Sequence, residues 1–389
     1  MLRAPVPEQV VWASVTRPPV PLVYLDLNHY IGLAKASRAA AGHTADDGRP
    51  ITVLPGYAEL LDAARRAKYE RRAVFTLSNV HFMEVAHAVP SPRQRGHIAD
   101  IMEDLTDFTY LLGRTFIAQL EIAAGLDHIY GSAASYAPMP LLGRSALWAF
   151  NRNGHFRFIN EESGEDSGPA MRAELGDDEF DRRLAEMNRY MERRLLEGPR
   201  DAEIPQLRAN GYDPETYEIG ATKRLDFELE TSATLQRETH WRRGRLRDLV
   251  FGRDVGQHWT VPVVEHLEQR GQDGFRNDMP AGPDMIALWA AMPQVQVAVS
   301  MKTRYHRNPA HRWKINHIAD IDALAVAYPY CDIVLTDAEA RGALVNAREL
   351  TGFGARLPRT VAEAADLLNG LPAVDDFERQ IFHPPQSRV

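Results

Sequence analysis

A single cysteine, Cys331, stands in 389 residues. Neither an internal disulfide framework nor a cysteine-built zinc site is open to such a chain, and a reducing compartment fits. No apolar run approaches the ~20 residues of a membrane-spanning helix. The first residues, MLRAPVPEQVVWASV, lack the unbroken apolar core of a secretory signal. These absences read as a soluble, cytoplasmic protein. An excess of positive charge is missing too. The formal net charge is -8 and the pI about 6.0, so any contact with nucleic acid has to come from local patches. Internal repeats and long low-complexity runs are also absent. What remains is an ordinary globular composition, 44% hydrophobic and 25% charged, with length for two or three domain-sized units.

The N-terminal part alternates between strand and helix patterns. VYLD (23–26) reads as a short buried strand, and 29–40 suits a helix. A polar loop follows. Residues 57–72 carry apolar positions at helical spacing and end on basic side chains, which suit the negative end of a helix dipole. AVFTLS (73–78) is a second strand and 79–89 a helix closed by Pro90 and Pro92. That order predicts a parallel sheet with helices on its faces. From about 94 the pattern is helical. One or two helices are expected over 94–128, a loop over 151–170, then helices over 177–197 and from 214 to about 250, with no convincing strand. The α/β pattern returns with helices at PDMIALWAAM and PQVQVAVSMKTRYHR, the second opening on Pro293. A helix over 317–328, a Pro-containing turn, a strand Asp332–Thr336, a last helix in RLPRTVAEAADLLNGL and a tail complete the chain.

Acids fall at particular places in this pattern. Asp26 ends the first strand and Asp337 follows the last. Glu84 lies in the helix after the second strand, and Asp320 in the first turn of the helix leading into the last strand. Open parallel sheets place ligand sites beyond the carboxyl ends of their strands, so all four carboxylates are expected at one edge. Gathered carboxylates repel one another, and a divalent cation with a preference for oxygen, Mg²⁺ or Mn²⁺, compensates them. Such ions hold a phosphate, lower the pKa of an attacking water and stabilise a leaving oxygen.

LDLNHYIGLA, SNVHFME and DIDALAVAYPYCDIVLTD together resemble the PIN domain family, metal-dependent nucleases that mostly cut RNA. The family opens on a strand ending in Asp with Asn two residues on, matched by Asp26 and Asn28. Its second acid is a Glu six residues after a Ser, matched by Glu84 and Ser78. Its third acid starts a small-residue helix, and a strand ending in Thr follows, matched by Asp320 and Thr336. Its fourth acid comes at or just after that Thr, matched by Asp337. The resemblance covers about 20–92 and 284–360. It implies a three-layer α/β/α PIN-like core formed by 1–93 and 284–389, interrupted by a mostly helical insertion over 94–283. The gap from the second acid to the third, 84 to 320, far exceeds that of a minimal PIN domain, and His317 stands just before Asp320.

Each acid has a structural alternative. Asp26 and Asp337 suit N-caps of the helices that follow them. Asp322 rivals Asp320, because positions two apart point about 200° apart and only one can face the site. Asp332 reads as structural. Asn28, Thr336 and Ser78 are candidates to orient the acids. His29, His81 and His317 are candidates for phosphate contact or proton relay, each against a structural reading. Lys302, Arg304, Arg307, Arg312 and Lys314, with Tyr305 and Trp313 interleaved, suit phosphate contacts and base stacking. Arg242, Arg243, Arg245 and Arg247 suit either a second wall of an RNA groove or a salt-bridged helix surface.

The expected function is a Mg²⁺- or Mn²⁺-dependent endoribonuclease, with single-stranded DNA as a second substrate class. By family analogy it is a toxin or anti-phage defence effector, and the insertion would bind an inhibitor, a partner protein or a second copy of the chain. Two alternatives compete. One is a PIN-like scaffold or RNA-binding protein without catalysis. The other is a phosphatase of the haloacid dehalogenase kind, opposed by Asn28 where a second Asp is needed and by the lack of any Lys after Lys314.

Overall fold

The computed structural model describes residues 10–45, 48–154, 157–160 and 163–373. In chain order the elements are β1 (Val15–Thr16), β2 (Leu22–Leu25), α1 (Leu27–Ala40), α2 (Tyr57–Tyr69), β3 (Val74–Thr76), α3 (Asn79–Ala88), α4 (Pro92–Thr106), β4 (Tyr110–Leu111), α5 (Arg114–Tyr130), β5 (Met139–Pro140), β6 (Leu142–Gly143) and α6 (Ala146–Ala149). Then come α7 (Gly168–Leu175), α8 (Asp177–Glu197), α9 (Ile204–Ala209), α10 (Pro214–Arg237), α11 (Leu246–His258), α12 (Thr260–Gln272), α13 (Pro283–Ala291), α14 (Pro293–Arg307), α15 (Ile315–Tyr330), β7 (Ile333–Leu335), α16 (Ala338–Val345) and α17 (Val361–Asn369). The protein is a mixed α/β structure, mostly helical, with a few short strands. No helix among the described residues is long and apolar enough to cross a membrane.

The central sheet runs β3-β2-β7, all parallel. Single parallel bridges widen it on both sides, Leu77 to Tyr110 and Ile333 to Arg356. Alternate residues of β2 enter different clusters, as the period of two requires. Leu22 and Tyr24 pack with α5, α14, α15 and α16, whereas Val23 and Leu25 pack with α1, α2, α4 and α17. All four are buried, which explains a strand that reads as an unbroken apolar run. Leu25 is in register with Leu335, so the two strands end level. The residues that follow them, Asp26 and Thr336, therefore emerge side by side.

Several boundaries depart from the sequence pattern. Pro329 lies inside the end of α15 and not in a turn. It removes one amide donor near the helix end, and the Cys331 N–H to Ala327 O bond, 2.8 Å, closes the last turn. The helical stretch from Pro214 is broken. α10 ends at Arg237, a short 3-10 turn follows, and Gly244 with φ 90° separates it from α11. Strands β4, β5 and β6 fall in the region read as strandless; two residues each leave no period to detect. The division expected after residue 93 falls inside α4, whose Ile98, Ala99, Met102 and Leu105 pack in the same cluster as β3's Phe75. The core continues past that point. The tail from 374 lies outside the described residues.

Candidate functional site

Asp26 leaves β2 and becomes the N-cap of α1. Its Oδ1 accepts the His29 N–H at 3.4 Å, so the capping alternative holds. A cap of this kind is worth about 1 kcal/mol. The second oxygen does something else: Oδ2 accepts the Asp337 N–H at 2.9 Å, and the Asp26 N–H donates to Leu335 O at 2.9 Å. Thr336 also bonds to the Asp26 carboxylate. Asp337 in turn caps α16, its Oδ1 accepting from Glu339 and Ala340 N–H at 2.6 and 3.0 Å. Both acids are caps, and a separate bond, Asp337 N–H to Asp26 Oδ2, holds the two residues together at one sheet edge.

Glu84 and Asp320 approach from helices. Each lies three residues after a histidine at the third position of its helix. His81 is fully buried; its Nδ1 accepts the Ser78 N–H at 2.9 Å and its Nε2 donates to Leu25 O at 2.8 Å. The imidazole thus ties the first turn of α3 to the residue before Asp26. Burial pushes His81 down to about 4, so it stays neutral and structural. His317 repeats the device on α15, its Nδ1 accepting the Lys314 N–H at 3.1 Å.

The electrostatics show that the four acids are neighbours. Burial raises Glu84 to about 8, with the charge of Asp26 adding to it. Burial raises Asp320 to about 8, helped by Asp337, Glu84, Asp26 and Glu339 in that order. Asp26 is also raised, first by burial, against the opposing charge of His29 and the Thr336 bond. Asp322 faces away. Burial pushes it up, but Arg114 and Arg224 outweigh that and hold it at about 2, with Arg224 Nη2 at 2.6 Å. Asp320, not Asp322, is the third acid of the cluster. Asp332 binds the Leu22 N–H and Arg17, both at 2.8 Å, at the opposite end of the strands.

Other expected residues fare differently. Asn28 is exposed, and among the described residues it makes no hydrogen bond to Asp26; Thr336 takes that part. The Ser78 hydroxyl lies against Tyr24 and His81, and among the described residues it bonds to no acid. His29 is within the field of Asp26, and its Nδ1 pairs with the Tyr57 hydroxyl at 3.2 Å. Lys302 is a correction. It is 2% exposed and bonded to Glu228 and Asp254, each at 2.7 Å, because α10 and α11 cover it, so it is closed to a substrate. Trp313 is also a correction. It is buried edge-on against Tyr305 and His311 and offers no open face. Arg307, Arg312 and Lys314 are exposed and Arg304 is half-buried, and none of them forms an ion pair among the described residues. Tyr305 feels the charges of Asp320 and Asp337, so this segment borders the acids. Of the second basic stretch, Arg247 is engaged by Ser300, Gln296 and Glu349, Arg245 by Asp248, and Arg242 by His306 O.

Sequence reasoning missed Glu339, Tyr217 and His87. Glu339 lies two residues after Asp337 and acts on Asp320. Tyr217 of α10 stacks on His87 of α3 at 5.2 Å and lies within the field of Glu84. For Glu339 the spacing from Asp337 was a signal; for Tyr217 there was none. His311, His317 and Glu339 have potential ligand atoms within 4.8 Å of one another. The Lys314 N–H on His317 Nδ1, however, leaves the proton on Nε2, which turns toward Glu339 at 3.5 Å as a donor. Asp26, Glu84, Asp320 and Asp337 are not so close-set, being related through the field of one another's charges, and they offer carboxylate oxygens alone. That donor set fits Mg²⁺ or Mn²⁺ and not a softer ion. Comparison of the chain with protein-family models, with curated proteins and with solved structures found no match.

Proposed function

We propose that this chain is a divalent-metal-dependent endoribonuclease with a PIN-like core. One observation carries the reading: Asp26 is bonded to the Asp337 amide at the carboxyl edge of β2 and β7, and Glu84 and Asp320, far off in sequence, lie within the field of these acids and are raised to about 8. Such crowding is costly without a cation. The alternation of β2 between two helical clusters supports the three-layer α/β/α part of the proposal. In this reading the residues past β4 that are not in the core form an insertion, and the cytoplasm is where the protein acts.

Asp26, Glu84, Asp320 and Asp337 would hold one or two Mg²⁺ or Mn²⁺ ions, which supply Lewis acidity and a water of lowered pKa for phosphodiester hydrolysis. The chain's own contribution is orientation. The amides of His29 and Asp337 and the Thr336 hydroxyl fix the Asp26 carboxylate, and His81 fixes the turn that presents Glu84. Arg304, Arg307, Arg312 and Lys314 would meet the substrate's phosphates. Hydrolysis of this kind needs no 2′-hydroxyl, so single-stranded DNA is a second substrate class. The biological role proposed is that of a toxin or defence effector, by family analogy alone.

The test is cleavage of a labelled mixed RNA pool and of single-stranded DNA with Mn²⁺, Mg²⁺ or EDTA. The wild-type chain should cut with metal and not with EDTA. Asp26→Asn and Asp337→Asn should each lose about a hundredfold or more, since metal charge stabilisation is worth several kcal/mol. Metal binding by calorimetry without cleavage of any substrate would favour a silent scaffold instead.

A further inference from the structure

A cavity of about 240 Å³ lies between α10 and α15. Tyr217, Gly220 and Arg224 line it from α10, and Ile315, Ile318 and Asp322 from α15. Ala319, also in the lining, immediately precedes Asp320. On the α10 side the Tyr217 ring rests on His87 of α3, one turn beyond Glu84, and the charge of Glu84 reaches its phenol. Ile315, Ile318, Ala319 and Asp322 share one face of α15, turned from Asp320, so the cavity approaches the acids on the side of Glu84.

Its surface has two characters. Ile315, 42% exposed, and Ile318 give apolar walls, and Tyr217 gives an aromatic face. At the inner end Arg224 is bonded to Asp322, and with Arg114, Lys302, Glu228 and Asp254 beyond it the charges balance. Gly220 sits inside a 24-residue helix where alanine would stabilise, and a Cβ there would meet nothing within 4 Å. Space has been left open at this point. The volume lies below the ~300 Å³ at which pockets for drug-sized ligands begin, so it suits one ring system and not a large ligand.

We propose that this cavity receives one unpaired nucleobase of the strand whose phosphodiester is cut at the acids. The base would stack on Tyr217 between the apolar walls, with the Arg224–Asp322 pair as its polar floor. The proposal rests on the nuclease reading above and assigns α10, outside the family resemblance, a part in substrate binding. Stacking uses the π-face that every base has, so the subsite tolerates sequence. A paired base is not available to it.

The experiment has two arms. In the first, binding of a single-stranded RNA, and of the matching DNA, carrying one 2-aminopurine is followed by fluorescence with Mn²⁺, using Asp26→Asn to prevent cutting. In the second, a series of RNAs with one abasic position each is cleaved by the otherwise wild-type chain. One abasic position should lower kcat/KM roughly tenfold or more, within the range of a base-aromatic stack. Tyr217→Ala should weaken binding by a similar factor, raise KM more than it lowers kcat, and erase that abasic penalty. Gly220→Leu, whose Cβ meets nothing within 4 Å and whose side chain occupies the cavity, should do the same while Mn²⁺ affinity by calorimetry stays at the wild-type value. Metal-dependent cutting with an unchanged abasic profile in both variants overturns the subsite and leaves the nuclease reading intact. Binding weakened by both variants without cutting by the wild type keeps the subsite and overturns the nuclease reading. Absence of oligonucleotide binding overturns both.

Discussion

Asp320 and Asp322 stand two residues apart on one helix and have opposite roles. Asp322 is held at about 2 by Arg114 and Arg224, and its loss leaves two guanidinium groups without a partner. Removing one member of a buried ion network costs about 3–5 kcal/mol. Asp322→Asn should therefore lower unfolding stability in urea by that amount. Asp320→Asn removes a carboxyl that is crowded by other acids, so without divalent metal it should leave stability unchanged or raise it. Equal losses from the two substitutions would contradict the division between site and scaffold. The same contrast holds at lysine. Lys302 stood in a basic run that read as a phosphate contact, yet it is the buried partner of Glu228 and Asp254.

At the level of elements, helices α3 and α15 each deliver an acid to the ends of β2 and β7, and both acids are held near 8 against ordinary values of 4.5 and 3.8. Between about pH 4 and pH 8 the unfolded chain has lost these protons and the folded chain keeps them. The unfolded state binds fewer protons, so stability falls as pH rises through that window. Glu121, buried against Tyr330 and the Gln294 amide and likewise raised to about 8, adds to the slope. Below about pH 6.5 the buried His81, His258 and His266, lowered to about 4, oppose this slope, so thermal melts from pH 6.5 to 8 should show Tm falling in EDTA. With Mn²⁺ the fall should shrink, because the ion favours the ionised acids, and the metal-induced rise in Tm should be larger at pH 8 than at pH 5. In Asp320→Asn the EDTA slope should be shallower. A metal-induced rise that does not grow with pH would count against a carboxylate cation site.

For the whole molecule, the question is whether the helical middle is a separable unit. Lys302 of α14 joins Glu228 of α10 and Asp254 of α11, His306 joins Glu228 at 2.8 Å, and Arg224 of α10 joins Asp322 of α15. Buried charges thus tie the middle to the C-terminal helices and are costly to separate. Calorimetry should show one cooperative transition, and Lys302→Met, which leaves two facing carboxylates, should lower its Tm without dividing it. Two resolved transitions in the wild type would show that the middle folds by itself.

The order of strands and helices near both ends was legible in the sequence, because a strand buried on both faces is an apolar run and a helix repeats at its own period. So was the place of Asp26 and Asp337 at one end of the sheet, since a carboxylate that ends such a run marks the edge of a parallel sheet. That Asp320 and not Asp322 turns to the site was open in the local pattern, and it was decided by two arginines from α5 and α10. Asn28 and Thr336 were equal candidates to support an acid, and register decided for Thr336, because Leu335 lies level with Leu25. Basic residues looked alike in one dimension. Only packing separated Lys302 and Arg247, sealed in ion pairs, from Arg307 and Arg312, left in solvent. Local pattern fixes backbone periodicity and chain reversals, whereas the partner of a charge is set by contacts between residues distant in the chain, which exist only once the chain is folded.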